Sequence, residues 1–378
     1  MPLTVGVLKE TLQGETRVAL TPEITGKLQK LGVAVVMEKG AGAEVGILDD
    51  EYEGVDFTDA DAVLAKSDLL FTVQPASDAS VGKMRSGTTV AGLMYGHINK
   101  DLVAALKKKN ITGFAMELIP RISRAQSMDV LSSQAAASGY QATLIAATTL
   151  DKFFPMLTTA AGTIRPAQVL IIGAGVAGLQ AIATAKRLGA VVKGYDVRSA
   201  TKEQIESLGA KFVETGVSAD GEGGYARELT DEEKQQQQAA LDKVIAQSDV
   251  VITTAAIPGR PAPKIISAAA VANMKPGAVI VDIAAETGGN CELTKAGETV
   301  VVNNVKIVGP VNLPASLGRN ASEMYARNLF NFISPAIDDG ELKIDWEDEV
   351  FASSALTHDG EIKHEPTREA LEGGQPDD

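Results

Sequence analysis

Short aliphatic and β-branched runs alternate with helical stretches along most of this chain, the pattern of parallel strand–helix–strand units. Residues 3–8 predict a strand, 22–31 a helix and 33–38 a second strand. A helix near 58–66 precedes the strand Leu69-Leu-Phe-Thr-Val, and strands at 88–95 and 111–117 flank a helix at 100–109. Residues 130–153 hold no proline and many Ala, Leu and Gln, which predicts one long helix crossing between two domains. Further strands are predicted at 168–172, 191–195, 211–213, 249–254, 278–283 and 305–309. A helix over 322–336 would return the chain to the first domain.

The fold class expected is therefore α/β: two Rossmann-like lobes with parallel sheets, joined by two long helices, with a cofactor cleft between them. The first lobe, flavodoxin-like, would span 1–134 and be completed by 317–378; the second, nucleotide-binding, would span 135–316. Two segments break the alternation. Residues 214–238 are rich in Gly, Glu and Gln; the first part reads as a mobile loop or a solvated insertion, and Gln235 to Gln238 as the start of a helix ending near Ala246. The tail after Asp338 is acidic and ends Gly-Gly-Gln-Pro-Asp-Asp, which predicts fraying.

Composition narrows the chemistry. A chain of 378 residues with 45% hydrophobic content can bury a core in each of two or three domains. The net charge of −14 argues against nucleic acid or an anionic membrane surface as a direct partner. One cysteine, Cys291, excludes an internal disulfide, and with His97, His358 and His364 it cannot build a familiar zinc site. Met1-Pro-Leu-Thr-Val-Gly-Val opens directly as a strand, so no signal peptide is read, and no stretch reaches the roughly 20 apolar residues of a membrane helix.

The strongest local signal is Val169-Leu-Ile-Ile-Gly-Ala-Gly-Val-Ala-Gly-Leu, followed by Asp196 at the end of Val191-Val-Lys-Gly-Tyr-Asp. It reads strand, Gly-x-Gly-x-x-Gly, helix, strand, acid. Gly173 would make the tight turn, Gly175 would admit a pyrophosphate against the backbone, and Gly178 would let a helix over 177–188 sit close on the sheet. The helix start at Val176 and Ala177 would present free N–H groups to the phosphates. Asp196 suits the hydroxyls of an adenosine ribose and would repel a 2′-phosphate, favouring NAD over NADP. A glycine-rich turn in an ordinary α/β domain is the plainer alternative.

A second constellation is Arg121-Ile-Ser-Arg-Ala-Gln-Ser-Met-Asp-Val-Leu-Ser-Ser-Gln134, a loop entering the long helix after Pro120. Arg121, Gln126, Asp129 and Ser132 are suited to holding a carboxamide and a ribose. A polar loop with Ser127 as a helix cap fits equally. No Ser/His/Asp grouping, catalytic carboxylate pair or lysine nucleophile stands out. Oxidation of an alcohol or amine requires a general base or acid. Hydride passing between two nicotinamides requires only close, oriented rings and exclusion of water. His97 reads as structural.

On these residues the chain resembles the proton-translocating nicotinamide nucleotide transhydrogenases, in their soluble NAD(H)-binding alpha component. The resemblance is carried by Lys9-Glu-Thr with Arg17-Val-Ala-Leu-Thr-Pro22, by Arg121 to Asp129, and by Gly178 to Ala190. Gly223-Gly-Tyr-Ala226, Ile252 to Ala255 with Ile257-Pro-Gly259, and Glu286-Thr-Gly-Gly-Asn-Cys291 extend it. It implies that Arg121, Gln126, Asp129 and Ser132 contact the nicotinamide and its ribose. It further implies that Tyr225 belongs to a lid over the nucleotide and that Asn312 is a cofactor contact. The implied reaction is hydride transfer between NAD(H) here and NADP(H) on a separate component, coupled to proton movement through a membrane-embedded component. A homodimer, cytoplasmic and peripheral on the inner face of the membrane through its partner subunits, is implied as well. Alanine dehydrogenase is the related alternative. Its amino-acid site resembles Lys-Glu-Pro, a histidine and an Asp before Gly-Gly. This chain has Val73-Gln-Pro75, Tyr95 and Glu286 at the matching places, with His97 two residues from the second.

Overall fold

A computed structural model describes residues 2–217, 230–256 and 260–372, and the chain divides into two compact units. The first comprises Met1–Gln134 and Ala315–Asp378, the second Ala135–Pro314; the chain passes from one to the other within helix Val130–Thr149.

The first unit is built on an eight-stranded sheet. Its spatial order is Glu361–Ile362, Ala355–His358, Thr112–Ala115, Thr89–Gly92, Leu69–Phe71, Thr4–Val7, Ala34–Glu38 and Asp56–Thr58. Successive side chains in a strand point to opposite faces, so a sheet covered on both sides needs apolar residues at every position. Val5, Val7, Leu69, Phe71 and Phe114 pack on one face with Tyr325, Leu329 and Phe332 of helix Gly318–Ile333. Leu70, Val90 and Ala115 face the other way, against Val63, Leu102 and Leu106. The rings of Phe114 and Phe332 meet edge-on at 5.2 Å.

The second unit carries a seven-stranded sheet ordered Lys211–Phe212, Val191–Tyr195, Gln168–Ile172, Val250–Thr253, Val279–Asp282, Val305–Val308 and Thr299–Val302. The chain order reverses between Gln168–Ile172 and Val250–Thr253, the switch point of a doubly wound sheet. Val169, Ile171 and Ile252 pack against Ala142, Ala146, Ala181 and Ile182; Leu170, Val251 and Ile280 pack against Leu241, Ile245 and Val271. At Gly139, an added Cβ would lie 2.0 Å from the Ala177 carbonyl oxygen, so the glycine lets helix Val130–Thr149 lie directly on the start of helix Val176–Arg187.

Several expectations need correction. The sheets are parallel in their bodies, but antiparallel strands close one edge of each. Thr299–Val302 turns back onto Val305–Val308 through Asn303 and Asn304, both with positive φ, the two-residue hairpin that Asn favours. The tail is not frayed over its described length. Val350, Phe351, Ala355, Leu356 and Ile362 are buried, and Ala355–His358 pairs with Thr112–Ala115, because an apolar minority inside the acidic sequence supplies an edge strand. The long helix stops at Thr149 rather than 153: Phe154 turns into the core and Lys152 reaches Asp249 at 2.8 Å. The strand expected over 88–95 ends at Gly92, since the Met94 and Tyr95 N–H groups donate to Glu117 and Tyr95 turns to φ +46°. The hairpin of Leu157–Thr159 with Gly162–Ile164 is an addition to the expected elements.

Candidate functional site

In the second unit, the glycine turn lies at the C-terminal end of Gln168–Ile172, beside the switch point. Gly173 has φ +97°, and a Cβ there would lie 2.5 Å from Thr254 Oγ1. At Gly178 a Cβ would lie 1.8 Å from the Gly173 carbonyl oxygen, so that glycine is required by packing. Gly175 is different: its φ is −78°, and a Cβ would meet nothing within 4 Å. The open side faces the start of helix Val176–Arg187, which has no side-chain cap, and Gly175 and Val176 are exposed while Ala177 is half-buried. Uncapped N–H groups and the positive end of the helix dipole create a site for an anion.

Asp196 follows strand Val191–Tyr195 and is 9% exposed. Its Oδ2 accepts the Ala174 N–H at 2.7 Å, tying the second strand to the glycine turn. Its Oδ1 accepts the Arg198 N–H and the Arg198 Nε, both at 2.9 Å, and Arg198 Nη2 reaches Oδ2 at 3.0 Å. Burial pushes the carboxyl upward, but these hydrogen bonds, led by Arg198, outweigh it and hold the group below its ordinary range. Arg198 is an addition to the residues expected from the sequence, although a cation two positions after the acid is visible there. Thr254 is another; its hydroxyl lies against the carbonyls of Ile172 and Gly173. Asn312, half-buried, adopts a left-handed backbone with φ +44° beyond strand Val305–Val308. Tyr225 and Ile257-Pro-Gly259 lie outside the described residues.

In the first unit, residues Ser123–Met128 form a short 3-10 helix after Pro120. Ala125 and Met128 are buried as anchors, and Arg124 forms an ion pair with Asp348. Arg121 and Gln126 are exposed, with no side-chain hydrogen bond to another described residue. Asp129 and Ser132 are brought together: Asp129 Oδ1 accepts the Ser132 N–H at 2.9 Å, and Oδ2 accepts the Ser132 hydroxyl at 2.6 Å. Asp129, rather than Ser127, is thus the cap of helix Val130–Thr149. A carboxylate has about four lone-pair positions, so capping leaves Asp129 able to accept more.

Behind this loop lies a buried polar cluster. Arg17, 3% exposed, donates from Nε and Nη2 to Glu15 at 2.8 and 2.6 Å and from Nη1 to Gln134 at 2.8 Å. Gln74 Nε2 donates to Glu15 at 2.7 Å. Burial alone would raise the Glu15 carboxyl, but the Arg17 hydrogen bonds and charge bring it down to about 2. Glu10 accepts the N–H groups of Val73 and Gln74, yet burial dominates and lifts it to about 7.

A doubly wound unit with a glycine turn and acid, together with a second α/β unit bearing an exposed Arg/Gln loop, defines a class of two-unit oxidoreductase-like proteins. The chain belongs to the alanine dehydrogenase/PNT family: the N-terminal domain model matches residues 6–138 and the C-terminal domain model residues 142–365. It is 45% identical over 376 residues to an NAD(P) transhydrogenase subunit alpha chain of Rhodospirillum rubrum, covering 96% of this chain and 98% of that one. The crystal structure of transhydrogenase from Sinorhizobium meliloti superposes with a TM-score of 0.87 at 44% identity, over 95% of this chain and 99% of that chain. Alanine dehydrogenase of Mycolicibacterium smegmatis is more distant, 26% identical over 98% of this chain and 97% of that one. Among the described residues, no helix is long and apolar enough to cross a membrane.

Proposed function

We propose that this chain is the NAD(H)-binding component of a proton-translocating NAD(P) transhydrogenase. Hydride would pass between NAD(H) held here and NADP(H) on a separate component, with proton movement through a membrane component that also tethers this chain. Gly173, Gly175, Val176, Ala177 and Gly178 would hold the pyrophosphate, Asp196 the adenosine ribose, and Asn312 the strand-end side of the nucleotide. The residues fit the group: the open face at Gly175 admits phosphate where a Cβ would intrude, and Asp196 is ionised and already fixed to the turn through Ala174. The bound dinucleotide supplies the hydride chemistry. The chain's part is to orient it, through Gln126 and Arg121 toward the carboxamide and through Asp129 and Ser132 toward the ribose hydroxyls. A pair of copies is the assembly proposed; exposed Phe153, Met156 and Ile164, in and beside the 157–164 hairpin, offer apolar surface for it.

The observation that carries this reading is the saturation of the buried arginine in the first unit. Arg17 is taken up by Glu15 and Gln134, and Gln74, which stands where the related dehydrogenases have lysine, is spent on Glu15. Such a cluster cannot seat an amino acid and deprotonate it, whereas Arg121 and Gln126 can position a ring without proton transfer. The test is one assay with three arms. NADH oxidation by an NADP analogue in the presence of an NADP(H)-binding component supports the proposal. Reduction of NAD by alanine in its absence would replace it with the dehydrogenase, and binding of NADH with neither reaction would leave a sensing module.

A further inference from the structure

Ser127, whose carbonyl follows Gln126 in the exposed loop, terminates a chain of hydrogen bonds that begins at Arg17. Arg17 Nη1 donates to Gln134 Oε1 at 2.8 Å, and Gln134 Nε2 donates to Ser133 Oγ at 3.2 Å and to the Ala321 carbonyl at 3.1 Å. Ser133 Oγ donates to Asn328 Oδ1 at 2.6 Å, and Asn328 Nδ2 donates to the Ser127 carbonyl at 2.8 Å. The directions are not arbitrary. Arginine can only donate, so Gln134 must accept with Oε1; a carbonyl can only accept, so Asn328 must donate with Nδ2 and accept with Oδ1. Every link therefore points from the cation toward the loop, the arrangement in which neighbouring bonds polarise and strengthen one another. Arg17, Gln134 and Asn328 are buried, at 3%, 7% and 7% exposure, so little water competes for these groups. The Glu15 carboxylate fixes the far end. The exposed Asn331 adds a second donor to the same Ser127 carbonyl at 3.0 Å.

We infer that Asn328 is a positioning residue for hydride transfer, holding the 121–129 loop and hence Gln126 at the angle the reaction needs, through a relay anchored on Arg17. The inference rests on the function proposed above for Gln126. Asn328 stands 201 residues along the chain from Ser127, so nothing local to the loop would reveal it. Asn328→Asp keeps the acceptor for Ser133 and sets a carboxylate against a carbonyl in place of the donor. Ser133→Ala removes the middle link, and Ser133→Thr restores its hydroxyl.

The experiment combines two measurements on the full chain. Hydrogen exchange of the amides in 121–129 should speed up by about tenfold or more in Asn328→Asp and Ser133→Ala, with the amides of strands Thr4–Val7 and Leu69–Phe71 unchanged, and should return toward the original rate in Ser133→Thr. Single-turnover hydride transfer with an NADP(H)-binding component should slow by about tenfold or more, while the NADH dissociation constant stays within about threefold. Unchanged exchange in the loop would overturn the relay. Exchange that rises equally across the sheet, or NADH affinity that falls in step with the rate, would reduce Asn328 to a general packing role. Failure of the unsubstituted chain to support any hydride transfer would instead sink the proposed function, leaving the exchange result to judge the relay.

Discussion

Arg198 grips the carboxylate of Asp196 at two points, Nε to Oδ1 at 2.9 Å and Nη2 to Oδ2 at 3.0 Å. The acid expected to hold a ribose is thus already neutralised by a neighbour, itself half exposed on the side chain. A ribose diol must either share the carboxylate with this guanidinium or displace it. The pair should therefore set nucleotide choice together. Asp196→Ala removes acceptor bonds worth about 1.5–3 kcal/mol each and leaves an unpaired cation free to meet a 2′-phosphate. Titration should show the preference for NADH over NADPH falling at least about tenfold. Arg198→Ala, which frees the carboxylate, should not lower that preference. Equal loss of both nucleotides in Asp196→Ala would remove this residue from the ribose.

Two glycines of one motif should behave oppositely. At Gly178 a Cβ would overlap the Gly173 carbonyl at 1.8 Å, so Gly178→Ala should destabilise the second unit by several kcal/mol. Gly175 has ordinary negative φ and open space, so Gly175→Ala should leave the melting temperature nearly unchanged and weaken NADH binding instead. A thermal melt and a fluorescence titration on each variant decide the matter; a Gly175→Ala protein that melts early yet binds normally would contradict the assignment of its open face to the ligand.

The contrast shows what is legible in the sequence. The continuous apolar run ending at Ile172 names its strand to the residue, because burial on both faces forces apolar side chains at successive positions. The glycine spacing locates the turn for the same local reason. Edge elements are harder: Ala355–His358 hides in an acidic tail, and the Asn303-Asn304 turn is a short signal between two short strands. Partners distant in sequence are invisible. Nothing near Asp129 says whether it caps a helix or holds a ribose, and nothing near Arg17 says that Glu15, two residues away, will saturate it rather than leave it open.

The Glu10–Glu15 region predicts a two-sided pH dependence for the stability of the first unit. Glu15 has its folded pKa lowered from 4.5 to about 2, so its contribution is full above about 4.5 and is lost as pH falls toward 2. That shift corresponds to about 3 kcal/mol. Glu10 is shifted the other way, to about 7, so stability declines as pH rises from about 4.5 to about 7 and is flat above. Denaturant unfolding across this range should show Glu10→Gln abolishing the neutral-side decline and Glu15→Gln abolishing the acid-side one. Glu15→Gln should also be less stable at every pH above about 4.5, since it strands the buried Arg17. Parallel profiles for both variants and the original chain would disprove the assignment.

Gln126 provides the sharpest test of mechanism. It is exposed, bonded to no other described side chain, and mounted on a loop whose backbone is fixed by Asn328 and Asn331. If it orients the nicotinamide carboxamide, Gln126→Leu should fold normally and bind NADH within a few-fold of the original. The hydride step should slow on the order of a hundredfold, the effect expected of about 1 Å of misplacement. No acid or base is invoked, so the step should lack a bell-shaped pH profile belonging to a residue at the reacting ring. His97 is exposed and is the nearest histidine in sequence to the loop. A bell that vanishes in His97→Gln would defeat positioning and restore a dehydrogenase mechanism. A single-sided dependence near neutrality that vanishes in Glu10→Gln would instead report the buried cluster acting on the loop through Arg17, and would leave the positioning role of Gln126 standing.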